Sequence, residues 1–172
     1  IDNFEGGYRA TKHLIDLGHK KILHVAGQID SFEAQSRRKG YEKAMADNKL
    51  KPDVIQGDWT ADTGLKIGVD LNLGVGGYTA IFAANDYLAL GLMKALRLRG
   101  IEVPRDISLI GFDDIPEATY LTPALTTMRQ DFKGLGEAAM GMLLAELTKS
   151  HPTARENLIP EIIVRESTRP LN

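Results

Sequence analysis

The stretch FAANDYLALGLMKALRLRGIEVPRDISLIGFDD, residues 82–114, decides the fold. It opens on an apolar run, passes through Asn85 and Asp86 into an amphipathic segment over 86–99, and meets Gly100, where a helix C′ glycine belongs. Pro104 follows a helix it could not continue, and a second apolar run occupies 107–111. A strand, a helix and a strand in that order describe a crossover unit of a parallel sheet. The rest of the chain repeats the pattern. Strands are expected at 21–26, 53–56, 79–83, 107–111 and 162–165, and helices at 7–17, 33–47, 61–73, 86–99 and 131–148. The strands read as continuous apolar runs, which suits a sheet covered on both faces. The expectation is a doubly wound α/β domain with a mostly parallel sheet. Only 112–131 breaks the alternation; with two prolines and no clear period, it reads as a crossing between subdomains.

Composition narrows the function. Lys and Arg number 21 against 23 Asp and Glu, for a net charge of -2, and no basic block of five residues occurs. A chain of this charge carries no electrostatic footprint for nucleic acid, so it is not expected to grip DNA by itself. The absence of cysteine excludes disulfides and thiolate metal sites and fits a reducing compartment. No run of 18 apolar residues is present, so no membrane-spanning helix is expected. The text begins at Ile1, already inside a helical pattern, which reads as the middle of something longer.

Ligands of open α/β sheets bind beyond the carboxyl ends of the strands. The residues there are Asp30, Ser31, Glu33 and Arg37 after the first strand, Asp58 and Trp59 after the second, Asn85 and Asp86 after the third, and Asp113 and Asp114 after the fourth. Each has an ordinary explanation: Asp86 as a helix cap, Asp58 as a turn residue, Arg37 as a solvated helix charge, Trp59 as core. Their convergence on one edge favours a site. An indole face beside a carboxylate, an amide and a guanidinium suits a polyhydroxylated ring, with apolar C–H faces and many hydroxyls. At the 85–86 join one residue suffices as a cap, and there are two. The histidines His13, His19, His24 and His151 show no metal spacing, and His24 reads as a satisfied core residue. LGVGGY at 73–78 follows a helix and precedes a strand, the reverse of a dinucleotide-binding turn, and reads as a simple turn. A phospho-acceptor site at Asp113 and Asp114 with Mg²⁺ is the enzymatic alternative.

Together with 82–114, the segments DNFEGGYRATKHLIDLGHKKILHVAG (2–27), RRKGYEKAM (37–45), GDWTADTG (57–64) and TPALTTMRQDFKGLGEAAMGMLL (122–144) resemble, in order and spacing, the ligand-sensing core of the LacI/GalR family. These are the bacterial regulators of the lactose-repressor and galactose-repressor type. The resemblance covers nearly the whole chain. It implies a type I periplasmic-binding-protein-like fold in a cytoplasmic transcription regulator, with no cofactor, no metal and no catalysis. On that reading 1–127 form the C-terminal effector-binding lobe, 128–159 belong to the N-terminal lobe, and 160–172 return to the first lobe. Nothing in the chain looks like the helix-turn-helix headpiece through which such a regulator meets operator DNA.

Carried over by position, the resemblance makes Arg37 the effector-binding arginine, Asp113 the carboxylate of the cleft floor and Asn85 the amide beside it. Trp59 and Phe132 fall where sugar-binding members place rings. Glu33 falls on a position that varies with the ligand, or pairs with Arg37 one turn on. Purine-binding members share the arginine and the carboxylate; Trp59, Asn85 and Phe132 lean toward a mono- or disaccharide. A homodimer is implied, with Leu88, Leu92, Tyr120 and Leu121 near its contact, although Leu88 and Leu92 read equally well as core. A periplasmic sugar-binding protein shares the fold and is the alternative. The apolar stripe Phe132, Leu135, Ala139, Met142, Leu143 and Leu147 requires cover, which the resemblance places in the N-terminal lobe; in this chain a second copy or folding back is expected to supply it, with that lobe as a separate piece the alternative.

Overall fold

The computed structural model describes residues 1–73, 77–148 and 158–171. The turn reading at 74–76 and His151 lie outside the described residues. The elements run α1 (Asn3–Asp16), β1 (Ile22–Ala26), α2 (Phe32–Asp47), β2 (Asp53–Gln56), α3 (Ala61–Asp70), β3 (Ala80–Ala83), α4 (Asp86–Leu98), β4 (Ser108–Asp113), a 3₁₀ turn (Pro116–Tyr120), β5 (Thr126–Arg129), α5 (Phe132–Leu147) and β6 (Glu161–Ile163). Each α-helix starts on a side-chain cap. Asp2, Ser31, Thr60, Asn85 and Asp131 accept from the backbone N–H three residues on, satisfying donors that the first turn leaves orphaned.

The strands form one sheet in the order β2-β1-β3-β4-β5-β6. The first four pairings are parallel and β6 pairs antiparallel with β5. Alternate strand residues feed two cores. Leu23, Val25, Ile81, Ala83 and Leu109 meet Leu88, Leu92 and Leu96 of α4 on one face. On the other, Ile22, Ala80, Phe82, Ile110 and Phe112 meet Ala10 and Leu14 of α1 and Tyr41 and Met45 of α2. Gly7 lets α1 and α2 cross closely, since a Cβ there would collide with the backbone carbonyl of Arg37.

Three expectations change. The stretch after Gly111 is more than a crossing: it holds a 3₁₀ turn and β5, a strand of the same sheet. Its apolar pattern is weak because Thr126 and Thr127 are buried through hydrogen bonds as well as packing. Leu88 and Leu92 are fully buried in the α4 core, so they are packing residues and present nothing to a partner. Finally, α5 does not fold back within this chain. Phe132, Leu135, Met142, Leu143 and Leu147 are exposed and only Ala145 of the helix is buried. Both faces of the sheet already carry cores built on α1, α2 and α4, and α5 takes no part in either.

Candidate functional site

The carboxyl ends of β1, β3, β4 and β5 and the start of α2 converge on Arg37. Its side chain is almost fully buried, yet it reaches the sheet edge. Nε donates to Asn3 Oδ1 at 2.8 Å and Nη1 donates to the Ala84 carbonyl at 2.6 Å. Nη1 also stands 3.4 Å from Asp113 Oδ1. The guanidinium carbon lies 3.8 Å from the centre of the Phe112 ring and 5.5 Å from that of Trp59. Burial lowers the Arg37 pKa and the Asp113 charge opposes that; an arginine so paired stays protonated.

Asp113 ends β4 with a φ of 117°, and Asp114 follows at 59°. Two successive non-glycine residues at positive φ store strain where the chain turns out of the sheet. The neighbours that hold them are ionic. Asp114 is clamped by Arg129 at 2.6 Å and Arg165 at 2.7 Å, while Asp113 Oδ1 accepts from Gln130 Nε2 at 2.6 Å. Burial raises the Asp113 pKa, with Arg37 and Gln130 pulling the other way. Among the described residues, neither Arg37 Nη2 nor Asp113 Oδ2 has a hydrogen-bond partner, and neither is sealed from solvent. The pair therefore offers a donor and an acceptor side by side, the pattern that grips a vicinal diol or an amide-like ring edge.

Trp59 is half-buried and lies over the end of β1, where Gly27 leaves room for it; a Cβ at Gly27 would meet the indole. The reading of Asn85 and Asp86 is reversed. Asn85 is the cap of α4: its Oδ1 accepts from the Leu88 N–H at 2.9 Å and its Nδ2 donates to the Trp59 carbonyl at 3.1 Å. Both ends of the amide are engaged, so Asn85 positions Trp59. Asp86 points inward and is fully buried, accepting from the Thr127 hydroxyl at 2.6 Å and the Ile115 N–H at 2.9 Å. Among the described residues no cation forms an ion pair with it, and burial pushes its pKa up to about 7.

The remaining expected residues are not drawn in. Glu33 is exposed and accepts from the Ser31 hydroxyl at 2.7 Å, so it serves the start of α2 and makes no bond to Arg37. Phe132 is 57% exposed at the first residue of α5. Asp58 is a turn residue, holding the Thr60 N–H and the Thr60 and Thr63 hydroxyls. His24 is only half satisfied: Nδ1 meets the Phe82 carbonyl at 3.0 Å, while Nε2 is buried without a partner. Asn3 and Gln130 belong to the site although no motif marks them; only tertiary contact brings them to Arg37 and Asp113. The described residues contain no cluster fit to hold a metal ion. One hollow, of about 1110 Å³, lies away from this chemistry, between α3 and the strand starts, with exposed lysines at its rim. Burial, strain and paired charge single out the Arg37 edge instead.

An open parallel sheet with an arginine–aspartate pair and an indole at its carboxyl edge defines a small-molecule-binding lobe. The chain belongs to the periplasmic-binding-protein-like domain family, whose pattern it matches over residues 11–168. Its sequence is 38% identical over 177 residues to the HTH-type transcriptional repressor PurR of Vibrio parahaemolyticus, with all of this chain and 53% of that protein aligned. The PurR repressor of Haemophilus influenzae is also 38% identical, over 97% of this chain and 52% of that one. The fold matches a dimeric Lac repressor with a TM-score of 0.92 at 32% identity, covering 100% of this chain and 64% of that one. A LacI-family regulator of Enterococcus faecium with bound ribose matches with a TM-score of 0.88 at 31% identity, over 99% and 65%. The chain thus corresponds to part of the effector-binding core of LacI-family regulators. It spans about half the length of these curated relatives, both of them transcriptional repressors.

Proposed function

We propose that this chain senses a mono- or disaccharide for a cytoplasmic bacterial transcriptional repressor and performs no catalysis. The observation that carries the reading is the half-used Arg37–Asp113 pair beside the Trp59 ring. Arg37 Nη2 would donate to one hydroxyl, Asp113 Oδ2 would accept from its neighbour, and the indole would cover an apolar face of the ring. The enzymatic alternative fits poorly. Asp114 has both oxygens committed to arginines and Asp113 faces a third, a concentration of guanidinium charge that repels Mg²⁺. A second reading keeps the class and changes the ligand. The same donor and acceptor match the edge of a purine-like lactam, and Asn85, whose amide already serves the Leu88 N–H and the Trp59 carbonyl, gives the sugar less support than its position suggested.

The wider assembly follows the same reading. The boundary drawn at 127 moves past β5, whose Met128 and Arg129 pair within the sheet: residues 1–129 and 160–172 are the C-terminal lobe, and α5 reaches into an N-terminal lobe whose surface covers its apolar stripe. Tyr120, 84% exposed, and the neighbouring Leu121 face a second copy. Operator DNA is met through a separate headpiece. Calorimetry of the intact regulator against a panel of mono- and disaccharides and purine bases tests the ligand. Asp113→Ala is expected to weaken binding by about 1.5 to 3 kcal/mol, roughly ten- to a hundredfold, the loss for hydrogen bonds to a charged group. Unchanged affinity in that variant refutes the site; binding of purines alone decides for the second reading.

A further inference from the structure

Asn3 and Gln130 are both buried, and each gives its amide to one member of the Arg37–Asp113 pair. Asn3 stands at the first residue of α1, beside Asp2, whose N–H donates to the Leu158 carbonyl at 2.8 Å. Gln130 stands between β5 and α5, where the chain leaves the sheet. The two amides therefore sit at two passages of the chain over the carboxyl edge, near residue 2 and at 130, and the backbone of Asp2 joins the first of these to a third at 158. Between them runs one continuous line of polar contacts. Asn3 Oδ1 accepts from Arg37 Nε, Arg37 Nη1 meets Asp113 Oδ1, and that same oxygen accepts from Gln130 Nε2.

We propose that Asn3 and Gln130 are positioning residues that tie the effector-facing Arg37–Asp113 pair to the passages of the chain over the sheet edge. The relay rests on the effector reading above for its purpose, but not for its existence. An effector that draws Arg37 Nη2 and Asp113 Oδ2 toward itself tilts both planar groups, and the tilt strains the bonds that the amides make on their other edges. Asn3 and Gln130 then move with ligand occupancy, and with them the backbone that leads out of this lobe. The line is a physical coupling because each member shares an atom or a rigid planar group with the next. Coupling of this kind shows as non-additivity between residues that do not touch.

The test needs no ligand. In this chain, urea unfolding of Asn3→Ala, Gln130→Ala and the double variant gives three unfolding constants relative to wild type. The double variant is expected to depart at least threefold from the product of the single effects, and the departure is expected to vanish in an Asp113→Asn background. A second readout is the titration of the Asp113 carboxyl carbon by NMR. Gln130→Ala is expected to raise its midpoint, since a donor to the carboxylate is lost. Asn3→Ala is expected to move the same midpoint without touching Asp113. If Asn3→Ala does not fold, Asn3→Ser serves in its place. Additive unfolding constants together with an Asp113 midpoint unmoved by the Asn3 variant overturn the relay. Failure of the intact regulator to bind any small molecule overturns the effector reading and leaves these results standing on their own.

Discussion

Asp86 gives the structure a stability that falls as pH rises. Its carboxyl is fully buried with no ion-pair partner among the described residues, and its pKa moves from the ordinary 3.8 to about 7. Between those values the native state keeps a proton that the unfolded chain has released. Native stability from this group is therefore complete below pH 3.8, declines through the window, and is at its minimum above 7. Three pKa units at about 1.4 kcal/mol each set an upper bound of about 4 kcal/mol. That is a large share of the roughly 5 to 15 kcal/mol typical of a domain. The perturbation is Asp86→Asn, which keeps the geometry: its amide nitrogen donates to the Thr127 hydroxyl and its oxygen accepts from the Ile115 N–H. Urea unfolding of wild type and variant at several pH values from 5 to 8 gives the stability difference free of other titrating groups. Wild type is expected to lose about 2 to 3 kcal/mol relative to the variant across that range. A difference that stays constant with pH, or slopes the other way, refutes the assignment of a buried carboxyl that titrates near neutrality.

Two further outcomes follow from other residues. Burial holds His24 at about 4, below its ordinary 6.5, so its contribution is complete above 6.5 and is lost as pH falls toward 4. Replacing it with Phe, which keeps the stack on Phe82, is expected to remove up to about 3 kcal/mol of acid sensitivity, measured by the same unfolding series. Tyr120→Ala is expected to shift the intact regulator from dimer toward monomer in sedimentation, with the melting temperature of the lobe little changed, because the residue is 84% exposed in its own chain; a dimer of undiminished strength refutes that contact.

The sequence by itself determined the alternation of strands and helices, the parallel sheet and the edge on which the site lies. Apolar periodicity, capping residues at every helix start and Gly100 after α4 are local signals, and local signals are readable one window at a time. It placed Arg37, Trp59 and Asp113 on one edge for the same reason, since each follows a strand or opens the next helix. What it could not decide is which of two adjacent polar residues turns inward. Asn85 caps α4 and Asp86 is buried because Thr127 and Ile115, both well removed in sequence, supply the donors that a buried carboxylate needs. β5 escaped notice because buried threonines carry it, and their burial depends on neighbours such as Asp86 and Thr168. Glu33 lies one helical turn from Arg37, yet the arginine takes Asp113 and Asn3, so a pairing that spacing allowed was settled by distant chain. Polar groups are directional and must be satisfied across the fold, whereas apolar burial requires only a face; the first is a property of tertiary structure, the second of sequence.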